Sequence, residues 1–145
     1  ILLNPPLFEE LINSMANNSI FKKTDAIVAI DARGFIFGTA LANYLKKPII
    51  LARKTNKLPG KLIEKDYGLE YGSDKLSIQK ESLEKFQRFV IVDDLLATGG
   101  TAHCVGELLK QTNKEVIGLV VVIELLGLKG RDILKFPVFS EVKYD

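Results

Sequence analysis

Residues 89–101 read FVIVDDLLATGGT, and the reading of this stretch decides the fold. FVIV is short and continuously apolar, which suits a strand buried on both faces. Two acids close it. A glycine pair between threonines then opens onto residues 98–112, where Ala102, Val105 and Leu109 recur at helical spacing. A doubly buried strand that passes straight into a helix is the unit of a parallel sheet covered on both sides.

The same alternation extends in both directions. AIVAI (26–30) and PIILA (48–52) are also wholly apolar, and Phe37, Ala40, Leu41, Tyr44 and Leu45 between them follow the helical template. EVIGLVVVI (115–123) predicts a further buried strand and FPVFSEV the last one. Near the start, Asn4 stands as an N-cap before proline at the first helical position, with Phe8, Leu11, Ile12 and Met15 on one face. The expected fold is α/β, an open and mostly parallel sheet with helices on both faces.

Between Arg53 and Phe86 the pattern changes. KTNKLPGKLIEKD is polar and broken by Pro59 and Gly60. Beyond it Tyr67, Leu69 and Tyr71, then Leu76 and Ile78, alternate with other residues around Gly72-Ser73-Asp74. This predicts an antiparallel hairpin projecting from the sheet, within a flexible loop over about 54–86. We expect residues 1–145 to form one domain, without internal repeats.

Composition narrows the function. The chain of 145 residues is 47% hydrophobic and 26% charged, with a net charge of +2 and no block of like charge. That speaks against a nucleic-acid or membrane-surface role, and no apolar run is long enough for a membrane helix. Cys104 is the only cysteine and His103 the only histidine. The lone thiol favours a reducing, intracellular setting, and a His/Cys metal site or nucleophilic dyad within one chain is not expected. The chain starts at Ile1, close to a helix start, so residues upstream are expected.

Ligands of open parallel sheets bind beyond the carboxyl ends of the strands. Three groups fall there: DARG (31–34), ARKTNK (52–57) and DDLLATGGT (93–101). In the third, Gly99 and Gly100 admit a ligand close to the backbone, and the helix start directs amide N–H groups at it. Ala97, Thr98, Gly99, Gly100 and Thr101 are therefore expected to seat a phosphate monoester. No Walker pattern is present. Asp93 and Asp94 would repel phosphate at contact distance, but suit sugar hydroxyls a few ångströms away, because ionised carboxylates only accept hydrogen bonds. A ribose 5-phosphate satisfies both demands.

VIVDDLLATGGT resembles the phosphoribosyl pyrophosphate signature of type I phosphoribosyltransferases, and its LLA spacer resembles the adenine-specific members. AIDARGFIFG (29–38), RKTNKLPG (53–60), LEYG (69–72), LSIQKESL (76–83) and VIELLGLKGR (122–131) extend the resemblance in the same order. It implies a type I phosphoribosyltransferase fold and a reversible transfer, adenine plus phosphoribosyl pyrophosphate giving AMP plus pyrophosphate, with Mg²⁺, in a cytosolic homodimer serving purine salvage. Arg33, Arg53 and Lys57 are then the expected pyrophosphate contacts, with Lys54 left open. Leu95 is the expected apolar contact to the purine. Mg²⁺ would ride on pyrophosphate and ribose oxygens with few direct protein ligands. Ala97 stands where the hypoxanthine and guanine enzymes carry an acid. Glu70 of LEYG matches the catalytic carboxylate of adenine-type enzymes. Family members carry an N-terminal hood over the base, and Ile1 begins after it. Two other readings remain: a transferase for another purine base, and a nucleotide-sensing regulator with the same fold. Lys129 and Arg131 carry no assigned role.

Overall fold

The computed structural model describes residues 1–54, 56–69 and 72–145. Helix α1 spans Pro5–Ala16, followed by strand β1 at Ala26–Ile30, helix α2 at Gly34–Leu45 and strand β2 at Ile49–Lys54. Strands β3 (Leu62–Leu69) and β4 (Gly72–Gln79) form a hairpin that leads into the one-turn helix α3 (Lys80–Leu83). Strand β5 (Arg88–Leu96), helix α4 (Gly100–Gln111), strand β6 (Glu115–Leu125) and strand β7 (Val138–Tyr144) complete the chain. Asn4 caps α1 as expected, its side chain accepting from the Leu7 amide at 3.2 Å.

All seven strands join one sheet in the order β3-β4-β2-β1-β5-β6-β7. The five strands from β2 to β7 in that row run parallel, and the hairpin adds antiparallel to the outer side of β2. Counted along the chain, the parallel strands lie 2-1-3-4-5, so the winding reverses between β1 and β5. Right-handed crossovers on either side of that reversal put α2 on one face and α4 on the other.

Alternation along each strand feeds the two layers. Ala26, Val28, Ile30, Phe89, Ile91, Leu119 and Val121 pack in the same core cluster as Val105, Leu108 and Leu109 of α4. Ile27, Val90, Val92 and Val120 pack with Phe37 and Leu41 of α2 and with Ile12 and Met15 of α1. This is why the strands read as unbroken apolar runs. The lone Cys104 is one of the side chains packed in the α4 layer.

Three boundaries differ from expectation. β5 continues through Asp93 and Asp94 to Leu96, because its ladder with β6 runs on to Leu96↔Glu124. β2 likewise continues through Arg53 and Lys54, where β4 supplies a new partner: Arg53↔Ser77 and Lys54↔Leu76. Gly72-Ser73-Asp74 belongs to β4 rather than to the turn, since Leu69 pairs with Gly72. The polar LIEKD is strand rather than loop, and the hairpin lies against α4 instead of standing clear of it. Leu76 and Ile78 are fully buried there, and the Cys104 thiol approaches the Lys65 carbonyl at 3.5 Å.

Candidate active site

At the reversal of strand order lies a cleft of about 450 Å³, within the usual range for small-molecule sites. It is lined from β1 and the start of α2 by Asp31, Ala32 and Arg33, and from β5 by Asp93, Asp94 and Leu95. Lys54, Lys57, Tyr67 and Thr101 close its other sides. A side bay of about 80 Å³ adjoins it, walled by Ala97, Thr98, Gly99, Gly100 and Thr101. Asp93, Leu95 and Thr101 belong to both. The carboxylate pair and the amide-lined turn thus stand in two adjoining cavities that share part of their walls.

The bay is built by a sharp strand-to-helix passage. Gly99 takes φ 83°, a left-handed conformation that favours glycine, and no side chain caps α4. The first amides of α4 have no partner within the helix, so they and the positive end of its dipole face the bay. An anion is the natural occupant.

Asp93 is the most perturbed acid of the cleft. A β-carbon at Gly34 would lie 2.8 Å from its Oδ1 atom, so the bare start of α2 presses against one side of the carboxyl. Burial pushes its pKa up to about 7, and the neighbouring Asp94 charge adds to this. The Asp94 amide, donating to Asp93 Oδ1 at 2.8 Å, and the Arg33 charge pull in the opposite direction.

Arg33 and Asp94 form an ion pair through the arginine Nε atom, and Arg33 remains largely exposed at the cleft rim. Arg53 is not among the lining side chains. Its Nε donates to Asp31 at 3.3 Å and its Nη1 to the Lys57 carbonyl at 3.2 Å, with the guanidinium 5.8 Å from the Phe35 ring centre. From β2 it braces the two loops that carry Asp31 and Lys57. Lys54, left open by sequence, does line the cleft. Glu70 lies outside the described residues.

Tyr67 and Asp31 were missed by sequence reasoning. Asp31 sits in the quoted DARG turn, so its position was visible though its role was not. Tyr67 reaches the cleft only because the hairpin folds against α4, a long-range contact that no local pattern announces. Among the described residues, no group of three or more His, Cys, Asp or Glu side chains could hold a metal ion.

Comparison with known proteins agrees with this geometry. The phosphoribosyl transferase domain matches residues 1–139. A protein of Prochlorococcus marinus (strain MIT 9211) named adenine phosphoribosyltransferase is 57% identical over 142 residues, covering 98% of this chain and 83% of its own. The adenine phosphoribosyltransferase of Saccharomyces cerevisiae, complexed with an imino-altritol bisphosphate and adenine, superimposes with a TM-score of 0.91 at 40% identity, covering 97% and 82%. That of Trypanosoma brucei, in complex with AMP, pyrophosphate and ribose-5-phosphate, gives 0.87 at 26% identity, covering 99% and 67%.

Proposed function

This chain belongs to the phosphoribosyl transferase domain family, and from that premise we propose that it transfers phosphoribose from phosphoribosyl pyrophosphate to adenine, giving AMP and pyrophosphate. The single observation that carries this reading is that the cavity of the Asp93–Asp94 pair adjoins that of the amide turn. One part suits the hydroxyls of a pentose and the other its terminal phosphate. The name shared by the relatives supplies the base.

Cleaving the bond from the anomeric carbon to pyrophosphate leaves the sugar electron-poor and the leaving group more charged. Catalysis therefore needs acids beside the ribose and cations around the pyrophosphate. Asp93 and Asp94 accept from the ribose hydroxyls and stabilise its developing positive charge. The turn 97–101 seats the 5-phosphate. Arg33, Lys57 and Lys54 face the pyrophosphate, and Arg53 holds the loops that present them. To reach pyrophosphate Arg33 exchanges Asp94 for the ligand, which leaves Asp94 available to the sugar. Leu95, at the join of cleft and bay, offers an apolar face to the purine. Mg²⁺ bound with the substrate would offset the charge that builds on pyrophosphate, and no residue of this chain is assigned to hold it directly. Glu70 is assigned the proton at a ring nitrogen of the base, on the resemblance of LEYG alone.

The protein acts in the cytoplasm as a homodimer on this reading. A lone, buried free thiol supports a reducing compartment. Exposed Ile36 and Tyr44, eight residues apart and so on one face of α2, support a partner copy.

Phosphoribosyl pyrophosphate offered with adenine, guanine, hypoxanthine and xanthine tests the assignment. Adenine is expected to be consumed at least about 100-fold faster than the others, and Glu70→Gln to lower kcat by about 100-fold or more with little change in KM for the sugar substrate. Preference for another base refutes the adenine reading, and unchanged turnover of Glu70→Gln removes Glu70 from the mechanism.

A further inference from the structure

Behind the amide turn stands a segment that the proposed reaction leaves without a role. Residues 126–133 make two short 3₁₀ turns between β6 and β7. Gly130, buried at the start of the second, touches the anion turn backbone to backbone. A β-carbon there would lie 2.1 Å from the Ala97 carbonyl oxygen and 2.9 Å from the Gly99 nitrogen. In the other direction, a β-carbon on Gly99 would lie 2.4 Å from the Gly130 carbonyl oxygen. Neither side has room for a methyl group.

What holds Gly130 in place is its neighbour. Arg131 donates Nε to Glu124 Oε1 at 2.9 Å and Nη2 to Glu124 Oε2 at 2.6 Å. Its Nη1 donates to the Val138 carbonyl at 2.8 Å. The Glu124 side chain is only 4% exposed and also accepts from the Ser140 hydroxyl at 2.7 Å. One fork thus ties the 3₁₀ segment to β6 and to the first residue of β7. Bidentate pairs fix direction as well as distance. Lys129, at φ 52°, turns the chain into the contact.

We propose that Glu124 and Arg131 are positioning residues for the 5-phosphate: through Gly130 they brace the back of the turn formed by residues 97–101 and so fix where its amides point. The inference rests on the reading of that turn as the phosphate seat. Amide donors act on a ligand only when held in place, and a displacement of about 1 Å can cost about 100-fold.

Calorimetric titration with AMP and with adenosine, which lacks only the phosphate, tests it on Arg131→Lys and Gly130→Ala. Each variant is expected to lose about tenfold in affinity for AMP while adenosine stays within about twofold. Glu124→Gln, which keeps an acceptor for Ser140, is expected to show the same split in weaker form. If Gly130→Ala does not fold, Arg131→Lys carries the test, since it keeps the charge. Wild-type AMP affinity in a folded variant, or equal losses for both ligands, overturns the proposal and leaves the phosphate seat intact. A wild-type protein that binds AMP no better than adenosine overturns the seat itself, and the proposal with it.

Discussion

Asp93 shows how much one residue depends on what packs against it. As a letter in DDLLATGGT it was an acid beside an anion site. In the fold it is a carboxyl pressed by the start of α2, with a pKa near 7 in place of 3.8. A carboxyl raised in the folded state stabilises the protein fully only below its unfolded value. In the unliganded protein this contribution is complete below about pH 4 and is lost as pH rises through about 7. Hydroxyl donors on the ligand favour the ionised form, so AMP affinity is expected to rise with pH through the same upper value. The ligand's phosphate titrates near pH 6 as well. Asp93→Asn separates the two, because it should remove the part of the pH dependence centred near 7 and keep the phosphate's. Calorimetric titration from about pH 5 to about pH 9 reads this directly. Identical profiles for wild type and Asp93→Asn would show that Asp93 does not meet the sugar.

At the scale of elements, the parallel strands were legible because both of their faces are buried, so AIVAI and FVIV needed no partner to be recognised. Strand ends were less legible. Asp93 and Lys54 look like loop residues, and only the ladders offered by β6 and β4 make them strand. The first half of β3, LIEKD, was hidden for a different reason. Ile63, Lys65 and Tyr67 are partly buried while Glu64 and Asp66 are exposed, so a lysine occupies the inward row and masks the period of two. A lysine stem can cover apolar surface, and a polar letter conceals that. The docking of the hairpin can be tested at Ile78, fully buried in the α4 layer. Ile78→Ala is expected to cost about 2–5 kcal/mol in urea unfolding. On the role proposed for Glu70, which follows β3 in the sequence, it should also lower kcat. A loss below about 1 kcal/mol would mean the hairpin does not depend on this contact.

At the scale of the molecule, the reversal between β1 and β5 explains why one cleft can serve opposite demands. Two loops that leave neighbouring strands for opposite faces spread apart at that point alone, and each brings its own charge. The β1 loop brings Arg33, and the β5 end brings Asp93, Asp94 and the amides of α4. A ligand that spans the cleft therefore ties together elements from both layers, α2 on one and α4 with its hairpin on the other. Such a ligand should stabilise the whole cooperative unit rather than one loop. AMP at about 100 times its Kd adds about 2.7 kcal/mol to the native state, and a chain of this size should gain roughly 5–10 °C in Tm. Adenine alone, which cannot bridge to the proposed phosphate turn, should give much less. If the native protein is the proposed homodimer, Tm should also fall on dilution, because the unfolded chains are separate. Thermal unfolding at two protein concentrations, with and without AMP, reads both effects. A Tm indifferent to dilution rules out a dimer that separates on unfolding. A Tm that adenine raises as far as AMP does means the proposed phosphate turn contributes nothing to binding, against the adjoining cavities on which the assignment of function stands.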